Sequence, residues 1–465
     1  MVLIPDPHTS PAELTVDIVR SWQLELTEVE RRIGAHWSRG DARQRLGAYL
    51  RGLLKPVERK NGWQLAEANG DQSPYGVQHL LGRAVWDPEA VRDDLYRYVL
   101  EHLGVPEGVF VIDETGFLKK GTHSAGVARQ YSGTAGRVEN CQIGVFLAYA
   151  SARGQVVLDR DLYLPEVWAQ DRARRLQARI PEDRPFATKP ALARRMLERA
   201  FQAGVPAAWV TGDGVYGDNR RLRRWLEEQE RAYVLAVSGK ESVGVDGLHR
   251  QVKAVLATVP AEGWTRASAG AGAKGPRWYD WWWLPVAAPS QPHWRRWLLV
   301  RRSVQDPTAV TGFLVFAPQN TTLLEAVQTA GMRWAIEVSF EAAKGEVGLD
   351  QYAVRSWTGW YRHITLAMWA YALLSVVRAR HLQEASLSAT PADAGAAAPA
   401  VGIDSRAQPW VPLSVPEIRR LFGRLVLATR HTIGQILDWS AWRRWHQGVA
   451  QYYHRKRRSV PQLQL

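Results

Sequence analysis

Cysteine is almost absent from this sequence. Only Cys141 occurs among 465 residues, so the chain cannot form an internal disulfide or a zinc site built from several cysteines. This usage is typical of a protein that works in a reducing cytosol. The scarcity excludes small disulfide-stapled secreted scaffolds and cysteine-based zinc modules, and it predicts a cytoplasmic location.

Long hydrophobic runs are also missing. The longest apolar stretches, such as residues 281–288, are far shorter than the roughly 20 apolar residues that span a membrane. The first residues, Met1 to Asp6, combine neither a basic start nor a long apolar segment, so we expect no signal peptide. The sequence therefore predicts no membrane partner.

Acidic residues are outnumbered by basic ones. The chain has 46 Asp and Glu against 60 Lys and Arg, which gives a formal net charge of +14 and an isoelectric point near 9.9. A basic excess of this size indicates a polyanionic partner, most often nucleic acid. A solvated basic surface would give the same count. We predict DNA as the partner, and hence association with the nucleoid.

The chain is too long for one ordinary hydrophobic core, so we expect several segments. Changes in the spacing of its hydrophobic residues mark their boundaries. Helical spacing gives way to strand runs near residue 108, strands dominate from 232, and helical spacing returns near 322. We predict a mixed α/β fold. Its segments are a helical N-terminal DNA-binding domain (1–105), the first part of an α/β core (106–231), a β-rich insertion (232–320), the helical part of the core (321–380), an alanine- and proline-rich flexible linker (381–410) and a basic C-terminal extension (411–465). The N-terminal helices could instead serve packing or dimerisation.

Two aspartates follow apolar strand runs. Asp113 comes directly after residues 109–112, and Asp213 follows the run 207–211 within a Gly-Asp-Gly turn. A carboxylate at the carboxyl end of a buried strand is held rigidly at a sheet edge, where sites commonly form. Loop-starting aspartates are common, so one of them alone would be weak evidence, but the repetition of the pattern favours a site.

A third carboxylate stands on a predicted helix. At 100° per residue, Arg333, Glu337 and Lys344 share one face, and Glu341 flanks that face. A surface helix with ion pairs one turn apart is the alternative interpretation. If the face belongs to a site, either Glu337 or Glu341 is the third carboxylate, and we assign Glu337.

These residues fit phosphodiester chemistry. Three carboxylates, Asp113, Asp213 and Glu337, could hold two Mg²⁺ ions, for which Mn²⁺ could substitute, because both are hard cations that prefer oxygen ligands. Two such ions stabilise the attacking and the leaving oxygen of an in-line displacement. Arg333 and Lys344 would then contact neighbouring phosphates. The attacking oxygens come from water and DNA, so we expect no small-molecule cofactor.

Several segments resemble bacterial DDE transposases of insertion-sequence family 701, a relative of the group that shares a Tyr-Arg-Glu-Lys signature. They are residues 111–117, 126–133, 209–217, 348–352 and 355–363. The resemblance runs from about 45 to 375, with a weaker match in the basic tail. Arg333, Glu337 and Lys344 have the signature spacing, but Ala330 stands where the signature has tyrosine, and Trp334 is a possible substitute.

The resemblance implies a fold and a reaction. The fold is a ribonuclease-H-like catalytic core with a β-strand insertion between the second Asp and the Glu. The reaction is hydrolysis at transposon inverted-repeat ends, followed by attack of the freed 3′-hydroxyl on target DNA. We also predict that the chain acts as a homodimer on DNA. The alternatives are a DNA-binding regulator with an inactive or domesticated core, and a ribonuclease-H-like nuclease without transposition.

Further cations and aromatic residues are candidates for DNA contacts. They are Lys119, Lys120 and His123 in a glycine-containing loop, Arg129 and Tyr216 in the family-like segments, and Arg443, Arg444, Arg455, Lys456, Arg457 and Arg458 in the tail. The tail could instead pack against the core through Leu421, Phe422, Leu425 and Trp439. The tryptophan-rich strands between 278 and 297 could stack on bases or pack internally.

Overall fold

The computed structural model describes residues 15–260, 262–272, 275–388, 413–427 and 432–459. The helices are α1 (Val16–Gly34), α2 (Gly40–Leu54), α3 (Gly62–Ala68), α4 (Tyr75–Gly82), α5 (Pro88–Leu103), α6 (Glu166–Ala169), α7 (Arg172–Gln177), α8 (Lys189–Gln202), α9 (Gly214–Gly217), α10 (Arg220–Glu228), α11 (Val252–Leu256), α12 (Leu323–Met332), α13 (Trp334–Val347), α14 (Trp357–Ser388), α15 (Val415–Leu421) and α16 (Ile433–Ser459), with a π-helical turn at Phe422–Val426. The strands are β1 (Val109–Leu118), β2 (Ala128–Ser132), β3 (Arg137–Ser151), β4 (Gly154–Tyr163), β5 (Trp209–Gly212), β6 (Ala232–Val237), β7 (Ser242–Val245), β8 (Leu248–Gln251), β9 (Thr265–Gly272), β10 (Gly275–Pro285), β11 (Trp294–Ser303) and β12 (Val310–Pro318).

One large mixed sheet organises the described residues. Its order is β2-β3-β1-β5-β6-β12-β11-β10-β9, and β4 also pairs with β3. Only β1 with β5 and β5 with β6 are parallel, and the other pairs are antiparallel. The predicted mixed α/β class is confirmed, and the arrangement fits the ribonuclease-H-like core that the resemblance implies.

The strand β1 is longer than predicted. The sequence predicted that it ends at Asp113, but it continues to Leu118, because Asp113 to Leu118 pair with residues 146 to 141 of the antiparallel neighbour β3. Its parallel neighbour β5 stops opposite Ile112. Asp113 therefore lies within β1, at the point where the parallel pairing ends.

The β-rich segment extends the main sheet. The predicted insertion begins at residue 232, but β6 (Ala232–Val237) pairs directly with β5 and lies within the core order. The strands β9 to β12 continue from β6 as an antiparallel extension, and β7 and β8 form a separate two-stranded ladder. The first strand of the predicted insertion therefore pairs with a core strand.

The N-terminal helices share one hydrophobic core with the sheet and with α14. Helix α14 is buried along most of its length. It receives a hydrogen bond from Tyr49 of α2 to His363 at 2.7 Å, and its Trp369 indole donates to the carbonyl of Val91 on α5 at 3.0 Å. The boundary predicted at 105 is thus a turn in the chain rather than a break in the core.

Helix α14 extends into the predicted linker, and the described C-terminal helices pack on the N-terminal helices. Helix α14 runs to Ser388, eight residues into the predicted linker, whose remaining residues 389–410 lie outside the described ranges. The side chains of Ile418 and Phe422 are fully buried, and Phe422 stacks on Trp22 with ring centroids 6.2 Å apart. Trp439 donates to the carbonyl of Asp71 at 2.7 Å. Packing, the alternative for this segment, is therefore observed at Phe422 and Trp439, whereas Leu425 is more than half exposed.

Within the described ranges, no helix has the length and apolar character needed to cross a membrane.

Candidate active site

Two aspartates lie on neighbouring strands at the same point of the sheet. The parallel strands β1 and β5 pair as far as Ile112 and Gly212, and the next residues are Asp113 and Asp213. Asp113 accepts a hydrogen bond from the following backbone N–H at 2.7 Å, and Asp213 caps the short helix α9 by accepting one from Val215 at 2.9 Å. Register and capping therefore fix both carboxylates at one edge.

One face of α13 lies against β1. The Arg333 guanidinium, at the start of this helix, places Nη1 3.8 Å from Oδ2 of Asp113 and Nη2 2.8 Å from Oε1 of Glu337. Further along the helix, Lys344 donates to the Thr115 hydroxyl at 2.7 Å. Arg333 and Lys344 thus contact the strand that carries the first aspartate, and Glu337 is joined to it through Arg333.

The aspartate pair carries negative charge that its surroundings do not fully neutralise. Burial raises the pKa of Asp113 to about 7, and the like charge of Asp213 adds to this. Burial also raises the pKa of Asp213, with a further contribution from Glu114. Arg333 lowers both pKa values without cancelling the increase. Buried carboxylates in this condition favour a bound cation.

The three predicted carboxylates do not form a closed metal-ligand set. Among the described residues, no three His, Cys, Asp or Glu side chains lie close enough together to hold a metal ion. Glu337 is joined to Asp113 through the guanidinium of Arg333 instead of meeting it directly. Glu341, the alternative third carboxylate, is exposed one turn further along α13.

Lys344 and Lys119, two lysines predicted to contact DNA, are engaged within the protein. Lys344 also approaches the Thr134 hydroxyl at 3.0 Å, so its ammonium ties α13 to the β1–β2 region. The ammonium of Lys119 lies 3.6 Å from the ring centroid of Tyr352, and burial lowers the pKa of Lys119 to about 8. A DNA contact by either lysine would require it to exchange these partners.

The loop after β1 and the strand β2 present exposed polar groups. Lys120, His123 and Arg129 are all exposed. They lie on the stretch that follows the strand of Asp113, and nothing in the described structure covers them. Their position leaves them free to contact a polyanion.

Tyr216 and Arg443, which were predicted to contact DNA, have partners within the protein instead. Tyr216 is completely buried and donates its hydroxyl hydrogen to Glu114 at 2.6 Å, so its predicted DNA contact is wrong for this conformation, because the ring has no path to solvent. The Arg443 guanidinium forms an ion pair with Glu67, whereas Arg444 is exposed. The side chains of Arg455, Lys456, Arg457 and Arg458 lie outside the described part of the structure.

Sequence reasoning missed Glu114. This residue follows Asp113 but points to the opposite face of β1, where it receives Tyr216 and an ion pair from Lys189 at 2.6 Å. The only signal in the sequence was its position beside Asp113, because Tyr216 and Lys189 are distant along the chain.

Most of the tryptophans in the β extension pack internally. Trp281 is fully buried, and Trp283 stacks on Trp297 with ring centroids 5.0 Å apart. Trp294 stacks on Phe316 at 4.5 Å. Trp278 differs, since about half of it is exposed. Internal packing, the alternative stated for these strands, therefore applies to all of these except Trp278.

Known proteins that resemble this chain are enzymes that act by the phosphodiester chemistry for which the carboxylates are suited. The model of the family described as DDE superfamily endonuclease matches residues 32–259, just under half of the chain. A protein of Microchaete diplosiphon named "Probable transposase for insertion sequence element IS701" is 26% identical over 195 residues. The predicted resemblance is confirmed. Both matches support the predicted class of enzyme, a nuclease or transposase.

The matches cover the chain unevenly. The alignment with the Microchaete protein spans 42% of this chain and 48% of that protein, so the chain matches about half of the relative's length. The family match includes Asp113 and Asp213 and ends before Glu337. Of the three predicted carboxylates, only Asp113 and Asp213 therefore lie within the region of family similarity.

Proposed function

We propose that this chain is the transposase of an insertion sequence, which cuts DNA at the ends of the element and joins those ends to a target. The observation that carries the proposal is the placement of Asp113 and Asp213 where the adjacent parallel strands β1 and β5 stop pairing, with Glu337 linked to Asp113 through Arg333. The name of the similar Microchaete protein supports the same reaction.

The residues fit divalent cations. Carboxylate oxygens are the ligands that Mg²⁺ and Mn²⁺ prefer, and Asp113, Asp213 and Glu337 would hold two such ions. The single positive charge of Arg333 does not balance the three carboxylates. The site therefore favours the binding of further cations. When bound, the ions activate the attacking oxygen and stabilise the leaving oxygen of an in-line displacement.

The chain's own cations position the DNA. Arg333 is a planar donor that can pair with a phosphate in two places at once, and a phosphate entering the site offers it an alternative to Glu337 and Asp113. Lys120, His123 and Arg129 extend this surface beyond the carboxylates. Phosphate contacts of this kind fix the register of the duplex on the protein without reading its sequence.

The proposed partner is DNA, both as element ends and as target, in the nucleoid. An element has two ends, and we propose that two copies of the chain hold them as a homodimer. The reaction needs water, a DNA hydroxyl and the metal ions, and it uses no small-molecule cofactor.

A matched pair of glutamate variants tests the proposal. We expect Glu337→Gln to lose Mg²⁺- or Mn²⁺-dependent nicking and strand transfer on a duplex carrying the element's end, because it removes a proposed ligand charge. Glu341→Gln, an equal change on the exposed side of the same helix, should keep both reactions. End binding measured alongside should persist in both variants.

The outcomes separate the alternatives. Wild-type protein that binds the end but never nicks it would indicate a DNA-binding regulator. Nicking without joining of the 3′-hydroxyl to a target would indicate a nuclease. Loss of activity in Glu341→Gln with retention in Glu337→Gln would move the third carboxylate to Glu341.

A further inference from the structure

The short helix α9 follows Asp213 and lies on the side of the sheet away from α13. Asp213 begins this turn, and Tyr216 follows three residues later. The hydroxyl of Tyr216 donates to Oε2 of Glu114 at 2.6 Å, and Glu114 is the neighbour of Asp113 in β1. One partly buried hydrogen bond therefore joins the segment that carries Asp213 to the strand that carries Asp113.

Both oxygens of the Glu114 carboxylate are engaged. Oε2 accepts from Tyr216, and Oε1 pairs with the ammonium of Lys189 at 2.6 Å, at the start of α8. With both oxygens satisfied inside the protein, Glu114 is placed to hold its neighbours rather than to bind an ion itself.

The other end of α9 is fixed by close packing. A Cβ atom at Gly217 would lie 1.7 Å from the carbonyl oxygen of Ala236 in β6, so only glycine allows this approach. The carbonyl of Gly217 also accepts a hydrogen bond from Arg223. The turn is thus held between β1 and β6, on either side of the strand β5 that leads into it.

We propose that Glu114 and Tyr216 form a positioning clamp that fixes the carboxylate of Asp213 relative to that of Asp113 for a divalent cation. This inference rests on the metal site of the proposed function. Two like-charged groups repel each other, so their separation has to be held by contacts elsewhere. Contacts that orient metal ligands commonly affect metal affinity by about 10–100-fold.

Two tyrosine variants form a matched test. Tyr216→Phe removes the hydroxyl and keeps the ring. Tyr233→Phe makes the same change at another completely buried tyrosine, whose hydroxyl donates to Glu227 at 2.7 Å on the far side of β5 from β1. Mn²⁺ affinity of the full-length, metal-free protein is measured by titration calorimetry, with thermal melting as the control for folding.

We expect Tyr216→Phe to weaken Mn²⁺ binding by about 10–100-fold, and Tyr233→Phe to change it less than about twofold, at similar losses of melting temperature. Lys189→Gln, which releases the other oxygen of Glu114, should weaken Mn²⁺ binding as well. If Tyr216→Phe does not fold, the Mn²⁺ affinity of Lys189→Gln tests the clamp in its place.

Two results would overturn the clamp. One is wild-type affinity in Tyr216→Phe, or in Lys189→Gln where that variant has to replace it. The other is an equal loss of affinity in Tyr216→Phe and Tyr233→Phe, which would indicate general loosening of the fold. Failure of the metal site itself looks different: Asp113→Asn would then bind Mn²⁺ as tightly as the wild type, or the wild type would not bind it.

Discussion

Two aspartates in neighbouring parts of one sheet, one fully and one largely buried, have opposite surroundings. Asp159 on β4 is fully buried, receives the Tyr96 hydroxyl at 2.5 Å, and lies 2.8 to 3.5 Å from the guanidinium groups of Arg199, Arg92 and Arg160. Burial alone would raise the pKa of Asp159, but these arginines outweigh it and hold the pKa well below its usual range.

Asp113 on β1 has the opposite balance. Burial and the neighbouring Asp213 raise its pKa to about 7, and its nearest cation, Arg333, remains 3.8 Å away and is shared with Glu337. A buried charge whose partners compensate it holds structure together, as Asp159 does between α5, α8 and β4. A buried carboxylate whose charge is only partly neutralised by the protein favours the binding of a cation. The comparison therefore separates a structural aspartate from one that we propose to be a metal ligand.

The largest expected effect is on DNA nicking. Asp113→Asn should reduce metal-dependent nicking to background, because it removes a proposed metal ligand, while DNA end binding persists. Asp159→Asn should still nick at temperatures where it is folded, since Asp159 lies within a network of arginines away from the aspartate pair. Nicking and end binding of the two variants, measured side by side, check this. Full nicking by Asp113→Asn would remove the distinction between the two aspartates.

Stability and its pH dependence should separate the same two variants. The folded-state pKa of Asp159 lies below its unfolded value near 4, so its contribution is present above that pH and is lost only below it. Asp159→Asn should therefore lower the free energy of unfolding by about 3–5 kcal/mol throughout pH 5–8, because it leaves arginines without their partner. Denaturant titrations at several pH values measure this.

Asp113 should show the reverse sign. Its folded-state pKa of about 7 lies above the unfolded value, so the ionised form disfavours folding, and this penalty grows as pH rises from about 4 to 7. Relative to wild type, Asp113→Asn should gain stability with rising pH, by at most about 4 kcal/mol at pH 8. A difference that stays flat with pH would show that Asp113 is compensated in the way that Asp159 is.

The smallest expected effect concerns two neighbouring arginines in α16. Arg443 is paired with Glu67, whereas Arg444 is exposed. If exposed cations of the tail contact phosphates, Arg444→Ala should reduce the slope of log affinity against log salt by about 0.9, the value for one phosphate contact on duplex DNA. Arg443→Ala should change it less. Equal slopes for both variants and the wild type would assign this part of the tail to packing alone.

The sequence predicted the local secondary structure around the candidate site well. The apolar run before each aspartate located β1 and β5, and helical spacing located the face with Arg333, Glu337 and Lys344, because both signals depend only on neighbouring residues. The predicted end of β1 at Asp113 was wrong because these signals depend only on neighbouring residues. Its continuation past Asp113 depends on pairing with β3, about 30 residues away along the chain.

Contacts between distant segments were out of reach of such signals. Nothing near Tyr216 in the sequence indicates that its hydroxyl meets Glu114, so an aromatic residue in a family-like segment was wrongly assigned to DNA. The tail was harder for a different reason, because its basic charge and its apolar residues predict opposite environments. The burial of Phe422 and the exposure of Arg444 show that both signals were real at different positions.

The metal site is tested most directly by a crystal structure of the full chain soaked with Mn²⁺, with the ion located by its anomalous scattering. The account predicts density between Asp113 and Asp213, with Glu337 released from Arg333 and turned towards the ion. Mn²⁺ bound only elsewhere, or none at concentrations that support nicking, would contradict the assignment of these carboxylates as the metal site.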